Sequence, residues 1–123
     1  AIMPGLLSSA SALFSHAAKL SSVPLVVPPH ALGDTTESAV QSGIVIGAAA
    51  QTEGLVSRIT SELREEWQAN MGTPMSKVFV VGTGGLSEVV AGATAVFDTI
   101  DPDLTIRGIY QIWRHYLNSS VTR

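Results

Sequence analysis

The chain has 123 residues, enough for one domain, and carries seven Lys and Arg against ten Asp and Glu for a net charge of −3. Its basic residues stand singly without aromatic interleaving, which argues against nucleic acid as a partner, and the absence of cysteine excludes disulfides and thiolate metal sites. The longest apolar run, Gly43 to Ala50, is far short of the ~20 residues of a membrane span.

Pro4 and Gly5 precede Leu6, Ala10, Leu13, Ala17 and Leu20, one apolar helical stripe begun by a proline where its missing N–H costs little. A short extended segment, Pro24 to Pro28, follows. Asp34 then reads as a cap with Glu37 three residues on, the spacing of a capping box. The helical pattern behind it runs to Trp67, about 33 residues or roughly 50 Å. Its first half is apolar all round (Val40, Ile44, Val45, Ile46, Ala48 to Ala50), which predicts burial on every side. Gly43 and Gly47, one turn apart, predict close approach of another backbone. In the second half Leu55, Ile59 and Leu63 oppose Arg58, Glu62, Arg64 and Glu65.

Residues 68–76 read as a loop, Lys77 to Val81 as a buried strand, Leu86 to Val90 as a short helix and Thr94 to Ile100 as a second strand. A last helix carries Leu104, Ile109, Ile112, Trp113 and Tyr116. Alternating helices and strands give an α/β class with a parallel sheet. Two strands are too few for such a sheet, so its remaining strands are expected elsewhere. Charged residues make up 14% of the chain, against roughly 25% in ordinary soluble domains, as expected of a chain that buries much of itself against a partner. The opening AIMPG, without an initiator Met or signal peptide, reads like the interior of a longer protein.

Gly82-Thr83-Gly84-Gly85-Leu86-Ser87 places glycines between a strand and a helix, where backbone can approach a ligand closely. A dinucleotide fingerprint would need glycine at 87, and a Walker A loop would need Gly-Lys-Ser/Thr. Both nucleotide contact and a plain turn stay open on this pattern. Asp98, Asp101 and Asp103 cluster before the last helix and read as capping rather than metal ligation. His16, His30 and His115 share no metal-ligand spacing, and no serine stands with a histidine and an acid in a catalytic order. The residues present form no complete active site.

The order of blocks AIMPGL, LFSHAAKL, GDTTESAVQSGI, EGLVSRI, GTGGL and DPDLTIRGIY resembles the C-terminal half of type III pantothenate kinases. The resemblance covers nearly the whole chain, least at 68–76 and after Tyr116. It implies one incomplete ribonuclease-H-like half (1–123) of a two-domain kinase of the actin, sugar kinase and Hsp70 superfamily, with its first strands missing. By that resemblance Thr36 contacts pantothenate, while Gly84 and Gly85 lie on the adenosine side. Asp34 stands where the family commonly has a basic residue. ATP, Mg2+ and a monovalent cation (potassium or ammonium) are the implied cofactors, and a cytoplasmic homodimer the implied assembly. The family's phosphate loop, catalytic aspartate and cation aspartate have no counterpart in the chain, so activity is expected to need an N-terminal half, whether in the same polypeptide or in a separate chain. The alternatives are a non-catalytic regulator of the same fold, of the accessory transcription factor type, and an actin-like assembly module.

Overall fold

Pro4 and Gly5 lead directly into α1 (Leu6–His16), whose first bond runs from Ser9 N–H to Gly5 O at 2.9 Å. The structure is a computed structural model that describes residues 1–16 and 22–120; Ala17 and Leu20 of the expected stripe lie outside the described residues. Leu6 and Ala10 are buried, as the stripe requires, and Leu13 is partly exposed. Pro24 to Pro28 joins no strand among the described residues, and Val26 N–H turns back to Pro24 O at 3.0 Å instead of continuing the expected extended run.

The long helix is present but is built differently from the expectation. It comprises α2 (Thr36–Gln41), a π-helical turn (Ser42–Ile46) and α3 (Gly47–Met71). Thr35, not Asp34, is its N-cap: Thr35 Oγ1 accepts from Ser38 N–H at 3.1 Å, and Ser38 Oγ accepts from Thr35 N–H at 3.0 Å. Glu37 lies one position too early to close that box. Asp34 is held from outside, its Oδ1 accepting from Ser38 Oγ at 3.0 Å. At the far end Gly72 adopts φ 65°, and its N–H closes the helix onto Gln68 O.

The core is small. Val40, Ile44 and Val45 of the long helix meet Leu6 and Ala10 of α1, with Val45 fully buried and Leu86, Val89 and Val90 packed alongside; Ala49 is buried too. Burial on every side is not realised, because Gly43 and Ala50 are exposed. Nor do Gly43 and Gly47 admit another backbone: a methyl group built on either meets no atom within 4 Å. The close approaches fall at Gly33, against the Ala39 backbone, and at Gly82.

Both expected strands are much shorter than predicted. β1 is Val81–Gly82 and β2 is Thr99–Ile100, paired in parallel with Val81 opposite Thr99 and Gly82 opposite Ile100. Residues 77–80 run extended but are not buried; Phe79 is 63% exposed. The physical reason is that this ladder has no third strand among the described residues, so its outer edge pairs with nothing. The short helix α4 (Ser87–Ala91) joins the two strands, and its packing on α3 gives the α/β crossover its single covered face.

α5 (Leu104–Ser120) follows, with every residue from Leu104 to Ser119 exposed, including Ile106, Ile112, Trp113 and Tyr116. The stretch of α3 from Ser61 to Met71 is also exposed throughout. In total the chain presents 9013 Å2 to solvent, against roughly 6,300 Å2 for a compact monomer of 12.9 kDa. No helix among the described residues is long and apolar enough to cross a membrane.

Candidate functional site

The turn from β1 into α4 borders an open cleft of about 770 Å3. That volume falls within the range of small-molecule sites. One wall is the glycine loop from Val81 to Ser87. Met3, Pro4 and Leu6 of the N-terminal segment, Ala48 and Thr52 of α3, and Val90 and Phe97 also line the cleft. The lining is mostly apolar and backbone, with Thr52, Thr83 and Ser87 contributing hydroxyls.

The sequence enforces this loop at three points. Gly82 is buried so closely against β2 that a side chain there would meet the Ile100 Cδ1 methyl at 2.5 Å. Gly84 adopts φ 94°, a conformation that favours glycine, and has open space around it. Ser87, buried at the first position of α4, donates from Oγ to Gly84 O at 2.7 Å and from its amide to the same oxygen at 3.1 Å. The Gly84 carbonyl is thereby engaged twice, while the amides of Gly84 and Gly85 make no hydrogen bond to described residues. Two backbone donors beside an apolar cleft suit a polar edge on a largely flat ligand.

Thr36 is elsewhere. It is the first residue of α2, exposed, and does not line the cleft. Its hydroxyl is not the cap, since Thr35 fills that role. The two sets of expected site residues are therefore not brought into contact, but both belong to one framework. The helix that begins at Thr36 supplies Ala48 and Thr52 to the cleft wall.

The aspartates after α4 divide into different roles. Asp101 accepts from Asp103 N–H at 3.2 Å and pairs with Arg107, a cap-like arrangement at the start of α5, as expected. Asp98 is no cap. It pairs with Lys77 and accepts from Val80 N–H at 2.8 Å, while its own N–H donates to Val80 O at 2.8 Å. The Lys77 ammonium, then the Val80 amide, hold its carboxyl below its ordinary value of 3.8. Asp98 thus pins the extended segment to β2. Glu53 on α3 is tied to Thr94, fixing the loop behind α4. Among the described residues no group of three or more His, Asp or Glu could hold a metal ion.

Sequence reasoning missed three of these roles. Thr35 with Ser38 has the spacing of a capping box closed by serine rather than Glu. Ser87 stands two residues beyond Gly85, and the turn of its hydroxyl back onto the Gly84 carbonyl is not announced by the glycine pattern. Asp98 and Lys77 stand 21 residues apart, and no local pattern links them.

Comparison with known families, set beside this geometry, yields a match. The family model of type III pantothenate kinase matches residues 1–58, just under half of the chain. The matched stretch holds α1, Gly33 to Thr36, the π-helical turn and α3 as far as Arg58. It bears out the resemblance over those residues. The glycine loop lies outside it.

Proposed function

On the strength of the match over residues 1–58, we propose that this chain is the C-terminal, substrate-binding part of a type III pantothenate kinase. It would transfer the γ-phosphate of ATP to pantothenate in coenzyme A biosynthesis, as half of a ribonuclease-H-like pair. The observation that carries the reading is the matched block Gly33-Asp34-Thr35-Thr36 at the head of the long helix.

In this reading Thr36 holds pantothenate through a hydroxyl that the cap leaves free, and the cleft beside Gly84 and Gly85 receives the adenosine end of ATP. The cleft fits that group: its lining suits a flat, largely apolar ring, and two amides are available to polar atoms. Phosphoryl transfer forms a bond from the pantothenate hydroxyl oxygen to the γ-phosphorus and breaks the bond to ADP. The displaced hydroxyl proton goes to a carboxylate of an N-terminal half, which also carries the phosphate loop. Mg2+ and a monovalent cation would neutralise charge on the phosphates; the described residues include no cluster suited to hold either ion.

Two observations support a covering N-terminal half. The chain exposes roughly 2,700 Å2 more than a compact monomer of its mass, an area on the scale of obligate interfaces. The β1–β2 ladder also has an edge open to further strands. A cytoplasmic homodimer of such two-part units completes the proposal.

The test is Thr36→Val, which keeps the shape and removes the hydroxyl. In the enzyme assembled with its N-terminal half, titration calorimetry should show pantothenate binding weakened by about 0.5–1.5 kcal/mol, the scale of one hydrogen bond. The melting temperature should stay unchanged, because Thr35 still caps. Unchanged affinity with lowered stability would make Thr36 a structural residue and remove the substrate assignment.

A further inference from the structure

The π-helical turn Ser42–Ile46 interrupts the hydrogen-bond ladder of the long helix at one place. Ser42 N–H still donates to Ser38 O, four residues back, while Gly47 N–H reaches Ser42 O, five back. One such turn accommodates one more residue than a regular helix of the same height. The consequence is rotational, because each residue of an α-helix advances by about 100°.

Counted along an unbroken α-helix, Val40 and Ala49 would point about 180° apart, and Thr36 would stand about 160° from Thr52 and 120° from Ala48. With one residue absorbed in the turn, those angles become about 80°, 60° and 20°. The burial agrees with the second set: Val40 and Ile44 are buried in one cluster with Leu6 and Ala10, and Ala49 is buried as well. The later apolar positions Leu55, Ile59 and Leu63 then continue the same stripe instead of starting a new one. Gly43 is exposed, and a methyl group built on it touches nothing, so no contact requires its presence. Ser42, next to it, is engaged, donating from Oγ to Ala31 O at 2.6 Å.

We infer that the π-helical turn is a one-residue phase correction, with Gly43 the extra residue, and that it sets Thr36 on the same face of the long helix as the cleft-lining Ala48 and Thr52. The functional weight of this alignment rests on the pantothenate reading of Thr36; the phase itself does not. The turn makes the head of the helix and the cleft wall one ruled edge, along which two substrates can be presented to each other. Gly43 acts as a positioning residue, without touching either.

The inference makes a deletion milder than an insertion. Removing Gly43 turns the π-helical turn into plain α-helix and keeps the phase. Adding one alanine after Gly43 rotates the Thr36 end by a further 100° or so. Melting of the chain is measured for both variants, and pantothenate binding for both in the enzyme assembled with its N-terminal half. The deletion should melt within about 5 °C of the parent, the shift of about 1 kcal/mol or less, and bind pantothenate within about threefold. The insertion should lose its cooperative transition or bind at least about tenfold more weakly. A deletion as damaging as the insertion, or one that melts normally but loses tenfold in affinity, overturns the inference. Absence of pantothenate binding by the parent enzyme would refute the pantothenate reading instead, and the melting comparison would still decide the phase.

Discussion

Gly82 is the tightest point of the candidate site, and Gly82→Ala tests whether the β1–β2 contact is as close as described. The new methyl carbon would stand 2.5 Å from Ile100 Cδ1, with Phe97 ring carbons at 3.2 and 3.4 Å. Optimal carbon–carbon separations are about 3.5–4.0 Å, so the isoleucine tip must retreat by about 1 Å. The Gly82 backbone itself is not left-handed, so no dihedral strain is added. The cost is overpacking, about 1 kcal/mol, at the low end because the atom that must yield is the tip of a half-buried side chain. Ile100→Val deletes the offending methyl and alone should cost about 0.5–1.5 kcal/mol, toward the lower value because Ile100 is only half-buried. Urea titration of both single variants and the double variant completes the cycle. The double variant should be more stable than the sum of the single effects allows, by about 1 kcal/mol. A neutral Gly82→Ala, or effects additive within about 0.5 kcal/mol, would refute the contact.

Two other substitutions probe the supports of the site. Thr35→Ala removes the cap that engages Ser38 N–H and should lower stability by about 0.5–2 kcal/mol in thermal melting, in contrast to the neutral Thr36→Val. Asp98→Asn should destabilise the β1–β2 junction at neutral pH, where the carboxylate pairs with Lys77. Because the folded carboxyl is held below its ordinary value of 3.8, its contribution is present above that value and is lost as pH falls through the lower folded value. The melting difference between parent and Asp98→Asn should therefore narrow on acidification, and a gap that widens instead would contradict the pairing.

The parts of the fold legible in the sequence were those fixed by local periodicity. α1, the long helix and α5 follow from apolar spacing, and the parallel α/β class from the alternation of elements. Strand lengths were not legible. Val78 to Val81 has the β-branched character of a buried strand, but burial depends on neighbours that residue type alone does not supply. The cap shifted by one position because Asp34, Thr35 and Thr36 are all good caps, and only tertiary placement selects one. The phase of the long helix was hidden for a related reason. Its first half is apolar at so many positions that no single stripe can be read from it. Of the site, the glycine loop was visible as a pattern, whereas Ser87 and Asp98 act through contacts whose partners the pattern did not indicate.

The uncovered faces of α5 and of the distal part of α3 bear on the thermodynamics of unfolding. An ordinary domain of this length gains about 12–15 cal/mol/K per residue in heat capacity as its apolar surface becomes wet. Here the side chains of Trp113, Ile112, Tyr116, Trp67 and Met71 already meet solvent to a large extent in the folded chain. Unfolding wets little that is new along those helices. The heat-capacity increment is correspondingly small, and so is the denaturant dependence that scales with the same area. The stability curve of the isolated chain is then shallow, changing little between cold and warm. A partner that covers these faces would supply the missing curvature, and its association would carry a large negative heat-capacity change of its own.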